Sequence, residues 1–142
     1  MLEDILKAYI REKKIVAVRF TPPGSDAMRY AVQLKGAQRL WEACVVPLEQ
    51  EQMLIIYVRT ECRVTAEKRL ELANRLMAIN YQLKLASFQM EPETGEITVR
   101  ACIYPFGTAG ERMRLLDHAL NLCGLAAESY VPGIEAFLAG GE

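Results

Sequence analysis

The run Met53-Leu54-Ile55-Ile56-Tyr57-Val58 constrains this chain more than any other segment. It belongs to a β-prone stretch, Met53 to Thr60, that is apolar on both faces. A strand with one face in water alternates apolar and polar residues, so a two-sided apolar strand must be covered twice. The cover can come from helices of the same chain or from a second subunit. Spanning a bilayer is not an option for so short a run, since a transmembrane helix takes about 20 apolar residues.

The flanking sequence supplies more strands. Ile15 to Phe20 is short, β-branched and apolar. Thr21-Pro22-Pro23-Gly24-Ser25-Asp26 then breaks the chain; it is a loop and not a phosphate cradle, because no Gly-Lys-Ser/Thr follows. Met28, Tyr30, Val32 and Leu34 alternate with polar residues, and Gly36-Ala37-Gln38 offers a hairpin link. Arg39 to Val46 follows, with Trp41, Ala43 and Val45 on one face and Cys44 and Val46 on the other. Pro47 is expected to end that strand because it lacks the ladder donor. The clearest hairpin joins Leu83–Met90 to Glu96–Tyr104 through Glu91-Pro92-Glu93-Thr94-Gly95.

Helical spacing marks the remainder. Leu2, Ile5, Leu6, Tyr9 and Ile10 form the apolar stripe of a first helix over residues 2–13, with acids in its first turn and lysines at its end. Thr65 is a candidate cap for a second helix running to about Asn80. There Leu70, Leu72, Ala73, Leu76, Met77 and Ile79 make an apolar face broad enough to suggest burial on more than one side. A third helix is expected from Gly110 to Cys123, stopped by Gly124, with a short terminal helix over Tyr130–Leu138. The order α-βββ(β)-α-ββ-α with short links predicts an α+β fold, a mostly antiparallel sheet with helices packed on it. The 142 residues suit one domain, residues 1–142.

Composition narrows the function. Lys plus Arg number 17 and Asp plus Glu 18, a net charge of −1, whereas a nucleic-acid binder usually carries a basic excess. The start, Met1-Leu2-Glu3-Asp4-Ile5-Leu6-Lys7, has acids where a secretory signal needs bases, and no apolar run follows, so a soluble, cytoplasmic protein with no membrane partner is expected. Cys44, Cys62, Cys102 and Cys123 are widely spaced without a C-x-x-C pair, and read as reduced, small apolar side chains.

The block from Asn74 to Phe88, the turn Glu91–Gly95 with the strand to Tyr104, and the ending Tyr130–Gly140 together resemble the YbjN family, whose members look like type III secretion chaperones in fold. The resemblance covers residues 66–140: a helix ending in Asn80, a short strand carrying Phe88, then an acidic-Gly hairpin. Ala86 stands where a Gly is commoner in that family. The resemblance implies a chaperone-like, protein-binding fold, often dimeric, with no catalytic site to carry over.

The residues themselves offer little chemistry. His118 is the sole histidine and lies on a polar helix stripe, so it reads as a solvated side chain. Cys102 with His118 would be needed as nucleophile and base, and nothing in the sequence brings them together. Glu91, Glu93 and Glu96 flank a turn and serve solubility. The basic sets Arg11, Lys13, Lys14, Arg19 and Arg29, Lys35, Arg39 are read as solvated faces in preference to phosphate contacts.

The reading is therefore a noncatalytic chaperone-like adaptor that binds a protein partner, forms a homodimer and needs no cofactor or metal. Its expected interface is Trp41, Val45, Ile55, Tyr57, Leu72 and Leu76. The alternatives are a small ligand-binding or enzymatic domain with a pocket between sheet and helices, and a weak nucleic-acid binder.

Overall fold

The two-faced strand lies inside a six-stranded sheet in the computed structural model, which describes residues 1–140. In chain order the elements are α1 (Leu2–Lys13), β1 (Ala17–Phe20), β2 (Arg29–Lys35), β3 (Leu40–Leu48), β4 (Met53–Arg63), a 3-10 turn (Ala66–Lys68), α2 (Arg69–Gln82), β5 (Ser87–Met90), β6 (Glu96–Ile103) and α3 (Ala109–Leu138). The strands are ordered β1-β2-β3-β4-β6-β5 and every neighbouring pair is antiparallel. The α+β class and the element order are those the sequence predicts.

One face of this sheet carries the core. Val32 on β2, Ala43 and Val45 on β3, Leu54, Ile56 and Val58 on β4, and Ile97 and Val99 on β6 are all buried there. Leu2, Ile5, Leu6 and Tyr9 of α1, Leu72 and Leu76 of α2, and Leu116, Leu120 and Cys123 of α3 join the same cluster. The three helices thus shield a single face.

α3 departs from expectation. It runs unbroken for 30 residues, so Gly124 does not stop it and Tyr130–Leu138 is its last part, not a separate helix. A mid-helix Gly costs about 1 kcal/mol relative to Ala. Pro132 also has no N–H to give the Glu128 carbonyl, a further cost in a helix interior. Against this, Ala126, Ala127, Val131, Ile134 and Phe137 continue the buried stripe beyond Gly124. Each large apolar side chain buried contributes about 1.5–3 kcal/mol, so the continued packing prevails. At the other end Thr108 and Glu111 form a reciprocal capping box.

Three smaller expectations also change. Pro47 lies within β3, opposite Leu54. The pairing of β2 with β3 ends at Tyr30 and Val45, so the missing donor breaks no bond on that side. Thr65 makes no side-chain cap, and the chain enters α2 through the 3-10 turn instead. The strand expected from Leu83 shortens to Ser87–Met90 because Leu85 takes a left-handed φ of 66°.

Strand β5 is a sheet edge, and its exposed ladder is managed by a side chain. Asn80, near the end of α2, accepts from Phe88 N at 2.7 Å and donates to Phe88 O at 3.0 Å. The amide acts as one residue of an adjoining strand. Gly95 closes the β5–β6 hairpin with φ 76°, and a β-carbon there would overlap the Val64 carbonyl oxygen.

Candidate protein-binding site

The sheet face opposite the helices is open. Ile55 and Tyr57 project from β4 onto it, between Val46 and Cys44 on β3 and Cys102 and Arg100 on β6. Both are half-buried, sheltered only by their neighbours on the sheet. The Arg100 guanidinium lies 5.7 Å from the Tyr57 ring centroid. On edge strand β1, Val18 is 60% exposed and Phe20 36%, extending the apolar surface outward. Of the two covers the strand could have had, its own helices supply one, over Leu54, Ile56 and Val58.

Only two of the six expected interface residues are therefore available to a partner on this face. Val45 and Leu72 are 0% exposed, and Trp41 and Leu76 are 4% exposed. These four are core side chains, closed to a partner on the open sheet face. The sequence could not separate them from Ile55 and Tyr57, because core and interface draw on the same residue types.

α2 presents a second apolar surface. Leu72 and Leu76 point into the core, while Leu70 (77% exposed), Met77 (72%) and Tyr81 (91%) line the opposite side. The breadth of the apolar set in the sequence was the signal for this helix; the spacing i, i+7, i+11 extends it to Tyr81, which the sequence reading left off the stripe.

Several charged groups pair within the chain. Glu3 accepts from Arg19 Nε at 2.7 Å and from the Tyr30 hydroxyl at 2.5 Å. The Arg19 hydrogen bond first, then that from Tyr30, holds the Glu3 carboxyl down to about 2. Arg39 makes two hydrogen bonds to Glu135, 2.8 and 3.2 Å long. Both arginines thus leave the basic sets read from sequence, whereas Lys13, Lys14 and Lys35 gather around one hollow of about 350 Å³.

The nucleophiles are dispersed. Burial raises the thiols of Cys44 and Cys62, and pushes that of Cys123 up to about 12, so these three stay protonated at neutral pH. Cys102 faces the open side of the sheet beside Ile55, while His118 is exposed on the outer side of α3, which packs on the other sheet face. The sheet separates the two, and they form no nucleophile–base pair. Among the described residues no group of three or more His, Cys, Asp or Glu side chains is placed to hold a metal ion. No helix among them is long and apolar enough to cross a membrane.

The geometry defines an α+β domain with three helices on one face of an antiparallel sheet and the other face bare. No protein-family model and no curated protein matches the sequence. The structure does match YbjN from E. coli, a proposed transcription regulator, with a TM-score of 0.57 at 14% identity, covering 89% of this chain and 88% of that one. The chain has a YbjN-like fold.

Proposed function

We propose that this protein is a noncatalytic, chaperone-like adaptor that works as a homodimer and binds a segment of another protein on the open sheet face. The observation that carries the reading is the second apolar stripe of α2, which the chain leaves in water after its own core is filled. The stripe is self-complementary. The midpoint of α2 falls between Arg75 and Leu76. A two-fold axis there sets Leu70 of one copy against Tyr81 of the other, both exposed. Pairing two antiparallel helices in this way also opposes their dipoles. Ile55 and Tyr57 then remain free for the partner segment, added beside or across the sheet.

Light scattering on the full chain tests the assembly, with Tyr81→Glu as the variant and circular dichroism as the check on folding. Wild type is expected to be a dimer and Tyr81→Glu a folded monomer. A strict wild-type monomer at high concentration removes the pairing. Affinity capture with Tyr57→Glu tests the other half: a partner retained equally by both proteins counts against the open face.

A second reading rests on the lysine hollow lined by Lys13, Lys14 and Lys35. It would suit contact with nucleic-acid phosphates, and YbjN, whose fold this chain shares, is a proposed transcription regulator. Binding to duplex DNA that falls steeply with salt supports this reading, and no binding at low salt dismisses it.

A further inference from the structure

A cleft of about 430 Å³ opens between the β2–β3 hairpin and the middle of α3. That size is within the range of small-molecule sites, about 300–1,000 Å³. Its walls are apolar: Leu34 from β2, Trp41 from β3, and Leu120 and Leu125 from α3, around Gly124. One carboxylate, Glu128, stands among them. The Trp41 indole donates to Glu128 Oε1 at 2.6 Å. Glu128 forms no ion pair among the described residues, and Arg39, stacked 4.7 Å from the Trp41 ring centroid, is engaged by Glu135 instead.

Two glycines shape the space, for different reasons. At Gly36 a β-carbon would overlap the Glu128 carboxylate and lie 2.8 Å from the Arg39 carbonyl oxygen, so glycine there admits the carboxylate. At Gly124 a β-carbon would meet only Leu34 Cδ1, at 3.7 Å, an ordinary contact. Alanine would therefore fit Gly124, and it would favour the helix. Packing does not explain the glycine; what its missing side chain leaves is the open volume of the cleft.

We propose that this cleft binds a small organic ammonium ion: one positive charge on an apolar body of aromatic or branched-alkyl type. Glu128 Oε2 receives the ammonium group while Trp41 fixes Oε1 and with it the carboxylate plane. Leu34, Leu120 and Leu125 take the apolar body. Lys35 at the exposed rim disfavours a ligand with a second positive charge. The site is independent of the pairing through α2 and of the open sheet face.

Trp41 is the chain's one tryptophan, so its fluorescence reports directly on the cleft. The full-length protein is titrated with 2-phenylethylammonium, and in parallel with 2-phenylethanol and phenylacetate, by fluorescence and calorimetry. Saturable binding of the ammonium at one site per chain is expected, weaker by at least about tenfold for the alcohol and weaker still for the carboxylate. Glu128→Gln keeps an acceptor for Trp41 and removes the charge; it should lose the preference for ammonium over alcohol. Gly124→Ala should unfold at the same or a higher temperature yet bind more weakly. The proposal is overturned if the ammonium does not saturate the wild-type signal, if the alcohol binds as well, or if folded Gly124→Ala binds unchanged.

Discussion

The Tyr9 hydroxyl donates a 2.7 Å hydrogen bond to Asp117 Oδ1, fastening α1 to α3 across 108 positions of sequence. Tyr9 is 4% exposed, and burial, then the Asp117 carboxylate, raises its pKa. Removing the hydroxyl leaves a partly buried carboxylate without that donor. Tyr9→Phe is therefore expected to lower the unfolding free energy by about 1–3 kcal/mol. Urea denaturation measures it, and an unchanged midpoint would show the bond to be dispensable.

The acid limb of stability should depend on Glu3. Its carboxyl titrates at about 2 in the folded chain, against 4.5 for an unperturbed glutamate, through its bonds to Arg19 and Tyr30. A depressed carboxylate stabilises the fold above the unfolded pKa and loses that contribution as pH falls toward the folded one. The window is thus from about 4.5 down to about 2. Urea midpoints taken across that window should fall more steeply for wild type than for Glu3→Gln. Parallel curves would exclude the Glu3 cluster as a source of acid sensitivity.

Asn80 carries two bonds to one residue of an edge strand, which makes it hard to replace. Asn80→Asp keeps an acceptor for Phe88 N but turns a carboxylate oxygen toward Phe88 O where a donor stood. The expected loss is about 1–3 kcal/mol in unfolding free energy. Amide hydrogen exchange at Phe88 should quicken selectively in the variant. Unaltered protection there would mean that β5 is held by β6 alone.

How far the sequence could be read follows from the range of the forces involved. The hairpin Glu91–Gly95 and the helix Leu2–Lys13 were legible because turn dihedrals and one-sided amphipathicity are local. The Asn74–Phe88 block, part of the YbjN resemblance, holds a local helix-to-edge contact, Asn80 to Phe88, eight positions apart. The run of α3 through Gly124 and Pro132 was not legible, since it depends on which sheet residues meet Ala127, Val131 and Ile134. Val45 and Ile55 look alike in sequence; only the register, Val46 against Ile55 and Val45 against Ile56, puts one in the core and the other on the open face. The cleft was hidden for the same reason: Trp41 and Glu128 are 87 residues apart.

The four thiols should separate sharply by position. Cys123 is 0% exposed with its pKa pushed up to about 12 by burial, and burial likewise raises Cys44 and Cys62. Cys102 is half-buried on the bare side of β6, whereas the other three are buried. Reactivity follows thiolate fraction and access. A disulfide reagent at neutral pH should modify one thiol per folded chain quickly and all four in urea, with Cys102→Ser abolishing the fast phase. If two or more thiols react at one rate in the native protein, the sheet is not packed as described around Cys44 and Cys62.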